Sequence, residues 1–214
     1  MGGKFTRFKR SKSLRFEGSK ENQRAKDRRR KLLQPELPKL IGGSKNEVLS
    51  NPRHATTLVP QLQASLPPPR RCYDWNLLYS LAQHGCSLHT LLLKVRKSTP
   101  TLVVVKTAKG DTFGGFVSGE WQTSANYYGV GESFVFSCNT NFKCYPWSFL
   151  NTMVMFSNDE GIAMGGGGDF AWYLNSDLSR GTSGCSETFK NECLASEAEF
   201  DIYNVEVWGF VMKM

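Results

Sequence analysis

The sequence has no apolar run near the length of a membrane span; its longest aliphatic stretch is Leu102-Val103-Val104-Val105. A spanning helix needs about 20 consecutive apolar residues, so none is expected. Behind the basic N-terminal start there is no apolar stretch, so no secretory signal is expected. Six cysteines, at 72, 86, 138, 144, 185 and 193, contain no C-x-x-C pair. Without an export signal they read as reduced thiols, and a disulfide framework is excluded. Histidine is scarce, with three in 214 residues. That leaves little for a Ser-His-Asp or Cys-His enzyme to draw on. No internal repeat at a solenoid period is present.

Two absences are local. Residues 1–70 carry only 5 acidic residues against 17 basic ones, and only Phe5, Phe8 and Phe16 of the chain's 26 aromatics; all five Trp come later. The net charge is +12 in this front third and −4 in the remainder. A segment so poor in apolar surface cannot offset its chain entropy, so residues 1–70 are expected to form a disordered arm. Residues 72–214 are expected to fold as one domain. Pro67-Pro68-Pro69 marks the boundary, because consecutive prolines resist helix and hold the chain extended.

The arm opens Met1-Gly2-Gly3-Lys4-Phe5-Thr6, which fits the N-myristoylation pattern with Gly2 as acceptor. Lys4, Arg7, Lys9, Arg10, Lys12 and Arg15 follow, with three phenylalanines among them. One acyl chain binds membranes marginally, and a polybasic patch supplies the second signal on an anionic surface. A second basic run, Arg24 to Lys31, reads as an extension of that patch, as a nuclear-localisation or nucleic-acid segment, or as a solvated charged tail. No nucleic-acid fold signature accompanies it, and no nucleic-acid partner is expected.

Beyond residue 72 the patterns are mostly those of strands. Residues 101–106 and 112–117 flank Ala108-Lys109-Gly110-Asp111, which predicts a hairpin. Residues 133–138 and 142–147 flank Asn139-Thr140-Asn141, and 152–156 and 161–164 flank Ser157-Asn158-Asp159-Glu160, predicting two more. Residues 170–174 and 201–211 are further strands. One helix is predicted over 87–97, where Leu88, Leu91, Leu92 and Val95 recur at helical spacing behind a capping Ser87. Hairpins with few helices indicate an α+β fold, an antiparallel two-sheet β-sandwich with a few covering helices.

Several ordered motifs then resemble one family. Asp74-Trp75-Asn76-Leu77-Leu78-Tyr79-Ser80 is followed by His84-Gly85, Phe113-Gly114-Gly115-Phe116, and Tyr127-Tyr128-Gly129-Val130-Gly131-Glu132-Ser133-Phe134. Later come Gly165-Gly166-Gly167-Gly168-Asp169-Phe170, Leu174-Asn175-Ser176-Asp177-Leu178, Gly181-Thr182-Ser183, Thr188-Phe189, Asn191-Glu192 and Glu206-Val207-Trp208-Gly209-Phe210. Over about residues 72–210 this set resembles the TLDc family, the domain of the oxidation-resistance proteins. The family pattern carries over onto Gly129, Gly131, Glu132, Gly166, Gly167, Gly168, Phe170, Asp177, Gly181, Ser183, Thr188, Phe189, Asn191 and Trp208. It departs at Ser186, where the family usually has its cysteine two residues before Thr-Phe; Cys185 stands one position earlier. It also departs at Phe170-Ala171-Trp172-Tyr173, where the family has Phe-Gly-Leu before an aromatic.

Candidate chemistry is sparse. Gly165 to Gly168 lacks the Gly-Lys-Ser/Thr of a P-loop, and Asp169 would repel phosphate, so a tight turn is expected. Glu132 reads as a buried acceptor for backbone donors or as a catalytic acid; the first is the better reading, since no partner carboxylate or histidine lies near it in sequence. His84, Cys86 and His89 are one ligand short of a structural zinc site. Ser183 is followed directly by Gly184, so no nucleophile elbow exists. Cys185 and Cys193 lack a cationic setting beyond Arg180 and Lys190. No catalytic residue, metal or cofactor is expected.

The resemblance implies a monomeric, non-enzymatic protein that binds the cytosolic sector of the vacuolar-type proton ATPase, regulates it and contributes to oxidative-stress protection. Its location would be cytoplasmic, on the cytosolic face of lysosomal, vacuolar or other membranes. A thiol-based antioxidant and a nuclear stress-response adaptor are the alternatives.

Overall fold

The computed structural model describes residues 36–213. Gly2, the basic residues from Lys4 to Arg15 and the run from Arg24 to Lys31 lie outside the described residues. The compact unit begins at Leu37.

The element order is β1 (Leu40–Ile41), α1 (Pro52–Ser65), a 3-10 turn (Pro68–Cys72), β2 (Tyr73–Ser80), α2 (Leu81–His84) and α3 (Leu88–Val95). Nine strands follow: β3 (Thr101–Thr107), β4 (Thr112–Val117), β5 (Phe134–Cys138), β6 (Phe142–Pro146), β7 (Met155–Ser157), β8 (Gly161–Met164), β9 (Trp172–Asn175), β10 (Arg180–Thr182) and β11 (Glu199–Met212). All three expected hairpins form as antiparallel pairs, β3–β4, β5–β6 and β7–β8. The expected helix is α3, whose first turn is capped by Ser87 Oγ accepting the Thr90 N–H at 3.3 Å. No helix among the described residues is long and apolar enough to cross a membrane.

The long strand β11 organises the fold. Its first residues pair with β10, its middle with β3 and its end with β2, all antiparallel. One sheet therefore runs β2-β11-β3-β4-β5-β6, with β1 added parallel to β2, and the other runs from β11 through β10, β9 and β8 to β7. Alternation sends Val103, Val105, Val205 and Val207 toward Met155, Ile162, Trp172 and Leu174 of the second sheet. Leu102, Val104 and Trp208 point to the opposite face. Both faces of β3 are thus covered, which is why its aliphatic residues are contiguous and not alternating. The α+β two-sheet sandwich is the observed architecture.

The domain boundary needs correction. Residues 37–70, expected to belong to a disordered arm, supply the layer over the outer face of the first sheet. Val48, Leu49, Leu58, Val59, Leu62 and Leu66 are buried against Trp75, Phe136 and Trp208. Asn51 caps α1 by accepting from Arg53 N at 3.0 Å, and Pro52 occupies its first turn. Composition averaged over 70 residues masked this local amphipathic stretch. His54 accordingly lies on α1, with Nδ1 2.9 Å from the Val48 carbonyl. The proline run forms the 3-10 turn, whose φ proline tolerates, in place of the extended linker expected.

Candidate functional site

The family-motif residues converge where β8, β10 and the loops after them meet. Gly167 holds φ at +79°, a left-handed conformation that glycine adopts without steric cost. Its empty side-chain position faces Asn151 Nδ2 and Glu187 Oε2, and a Cβ there would lie 2.6 and 2.7 Å from them. The Asp169 carboxylate packs over Gly184 in the same way, with a Cβ there 2.6 Å from Oδ2. The Glu187 carboxylate therefore lies against this glycine loop, with Asp169 beside it against Gly184, and the tight-turn expectation describes it.

Thr188 is the hub. Its hydroxyl donates to Asn151 Oδ1 at 2.7 Å, with the carbonyls of Met153 and Gly166 at 3.1 Å, and accepts from the Gly166 N–H at 2.9 Å. Ser186 Oγ donates to Asn191 Oδ1 at 2.6 Å and accepts from Phe189 N at 3.3 Å. Asn191 Nδ2 in turn donates to the Gly184 and Glu192 carbonyls, both at 2.8 Å. Ser183 Oγ donates to the Ala171 carbonyl at 2.7 Å and accepts from Leu194 N at 2.8 Å. The serine at the family's usual cysteine position is thus a buried brace. The hydroxyls of Ser183, Ser186 and Thr188 and the Asn191 amide are engaged in fixing loops, while the buried Asn151 Nδ2 has no hydrogen-bond partner among the described residues.

The loops so fixed carry an exposed apolar tip. Trp147 Nε1 donates to the Asn151 carbonyl at 2.7 Å, Ser148 N to the Thr188 carbonyl at 2.8 Å and Ser148 Oγ to the Glu187 carbonyl at 2.7 Å. Between these anchors Phe149 is 79% exposed and Leu150 59% exposed. Gly131 lies beneath the Trp147 ring, and a Cβ there would sit 2.1 Å from it. The only signal for this tip in the sequence was its density of apolar residues in a connection, Trp147 to Met153.

Other expected residues fall elsewhere. Asp177 belongs to the β9–β10 turn, where Ser179 Oγ donates to it at 2.8 Å; that bond holds its carboxyl below the usual range. Gly129 abuts Met155 before β5, and Gly181 lies in β10. Glu132 is exposed, which corrects its expected role as a buried acceptor. His84 Nδ1 accepts from Ser80 N at 3.0 Å and its ring stacks on Tyr79, so it has structural work apart from Cys86 and His89. Among the described residues no group of three metal-ligating side chains assembles. Cys185 and Cys193 are exposed, and burial pushes the Cys138 and Cys144 thiols up.

The buried acceptors that sequence reasoning missed are Glu206 and Glu47. Glu206, beside Trp208 on β11, accepts from Val48 N, from Leu49 N at 3.4 Å and from Asn204 Nδ2 at 3.1 Å. Burial pushes its carboxyl up to about 7 against those bonds. Burial acts on Glu47 in the same sense, but bonds from Ser44, Gln83 and Ser80 prevail and hold it below the usual range.

A two-sheet α+β sandwich spined by one shared strand, with motif glycines and hydroxyls knitting one loop cluster, defines a single structural class. The TLDc domain model matches residues 46–211, and the chain belongs to the TLDc domain family. It is similar to nuclear receptor coactivator 7 of Gallus gallus, 37% identical over 154 residues, 71% of this chain and 17% of that protein. Oxidation resistance protein 1 of Rattus norvegicus and of Homo sapiens are each 36% identical over 154 residues, covering 71% of this chain and 18% of each relative. The chain therefore matches less than a fifth of these relatives' length.

Proposed function

We propose that the protein is a non-enzymatic regulator that binds the vacuolar-type proton ATPase and contributes to oxidative-stress protection. In this reading its acylated, basic arm holds it on the membrane that carries the pump. Tethering raises the effective concentration of the domain at that surface. Family membership supports the reading, as does the name oxidation resistance protein 1 borne by several relatives. The observation that carries it is the Thr188 network, which spends the polar motif residues on bracing loops and leaves an apolar tip facing solvent. Such an arrangement suits docking better than chemistry. The test adds the full chain to membranes holding the intact pump and follows ATP-driven proton pumping and sedimentation of the cytosolic sector. Loss of pumping or release of that sector is expected; no binding and no change would overturn the reading.

Exposure of Cys185 and Cys193 at the two ends of one loop favours a second reading, a thiol antioxidant. Peroxide consumption undiminished in a Cys185→Ser, Cys193→Ser variant removes it.

A further inference from the structure

Phe149 is a bulky residue held at φ +65°. That region disfavours any residue with a Cβ, and a phenylalanine there is a backbone outlier. Its ring lies tilted against that of Trp147, with centroids 4.3 Å apart and 41° between the planes, yet it stays 79% exposed. Strain of this kind persists only where the surroundings over-determine it. Here they do: Ser148 is tied to Thr188 and Glu187, Leu150 N donates to Ser148 Oγ at 3.3 Å, and Asn151 is tied to Thr188 and Trp147. The network spends many hydrogen bonds on presenting two apolar side chains to water. Burial of the domain's own core does not require that.

The charges around the tip narrow what it meets. The exposed charged residues on the contributing loops are Glu132, Asp169, Glu187, Lys190 and Glu192, the last paired with Lys143, and the set is net negative. Glu187 is tied to the tip through its carbonyl and Ser148, and Glu132 follows the Gly131 that lies under Trp147. An anionic bilayer would repel such a rim, whereas apolar tips of bilayer-binding loops sit among cations. Complementarity calls for a protein pocket that is apolar at its floor and basic at its edge.

Resting on the pump reading above, we propose that Phe149 and Leu150 form the docking tip of this protein, entering an apolar, basic-rimmed pocket on the cytosolic sector of the vacuolar-type proton ATPase. A rigid, pre-ordered aromatic anchor loses little entropy on binding, which is the character of an interface hot spot.

The test measures binding of the full chain to the isolated cytosolic sector of the pump, with no membrane for the arm to engage. The variants are Phe149→Asn with Leu150→Ser, Glu187→Lys, and Leu93→Ser as a control at an exposed apolar residue on α3. Asparagine tolerates the left-handed conformation, so the unfolding midpoint of Phe149→Asn should match or exceed wild type. Expected is binding at least ~tenfold weaker for the double variant, weaker binding for Glu187→Lys and no change for Leu93→Ser. Wild-type binding that survives the double variant overturns the tip assignment and leaves the pump reading standing. No binding by wild type withdraws both. Loss of affinity for phosphatidylserine vesicles with unchanged pump binding overturns the assignment in favour of a lipid surface.

Discussion

The indole N–H of Trp208 donates to the carboxylate of Glu206 at 3.0 Å, two residues away on the same face of β11. The same carboxylate accepts from the backbone of Val48 and Leu49, so it joins the central strand to the segment that leads into α1. A charge with no cation beside it is costly inside a protein, and here four N–H donors face it. The segment at residues 44–49 is thereby locked to the sheet from within, a lock that Glu47 reinforces through Ser80 Oγ at 3.1 Å and Gln83 Nε2 at 2.7 Å.

Glu206→Gln tests this lock. The native carboxyl is raised to about 7, so between its unfolded value and 7 the native state holds the proton more tightly than the unfolded one. Stability from this group is fully present below about pH 4.5 and falls as pH rises to 7, by up to about 3 kcal/mol. Urea titrations across pH 4.5–8 should show the wild-type advantage over Glu206→Gln shrinking through that window. A pH-independent difference would show that burial does not raise the Glu206 carboxyl.

Thr188→Val keeps the shape of the hub and removes its hydroxyl. The Gly166 N–H then loses its partner in a buried setting, at a cost of about 1–3 kcal/mol, while Asn151 Oδ1 keeps the Met153 N–H at 3.0 Å. Amide exchange should quicken first at residues 165–168 and 147–151. Uniform loss of protection across both sheets would contradict a local role.

Leu58→Ala and Leu62→Ala remove fully buried side chains of α1. Each should cost about 2–5 kcal/mol in denaturant unfolding. A chain starting at residue 72 exposes the outer face of the first sheet, including Trp75 and Trp208, and should bind hydrophobic dyes or precipitate. A soluble, cooperatively folding fragment from 72 would restore the narrower boundary.

Gly2→Ala addresses the tether. With a fluorescent tag at the C-terminus, wild type should sit on membranes and the variant should be diffuse, because the polybasic patch alone is a weak second signal. Membrane attachment unchanged by the substitution defeats acylation, and accumulation of wild type in the nucleus favours the adaptor role for residues 24–31.

Much of the fold was legible in the chain. The three hairpins and α3 follow from alternation, turn residues and a capping serine, because these signals act over a few residues. β2 was read as a family motif and not as a strand, since Tyr73–Ser80 shows no simple alternation: packed between β1 and β11, it buries residues on both faces. β10, three residues long, carries too little pattern to be seen. The motif positions Gly166, Ser183, Thr188 and Asn191 were identified from the resemblance, but nothing in their spacing revealed that they would spend their polar atoms on each other.

The sequence by itself determined the strand-rich class, the family and the contrast between a basic start and an acidic remainder, because composition, short periodicities and turn chemistry are local. Tertiary structure alone decided that residues 40–66 belong to the core, that Glu206 and not Glu132 is the buried acceptor, and that Phe149 stands strained in solvent. Each of these depends on contacts between residues far apart in the chain. A carboxylate's burial, a helix's docking face and a turn's bracing are set by what folds against them.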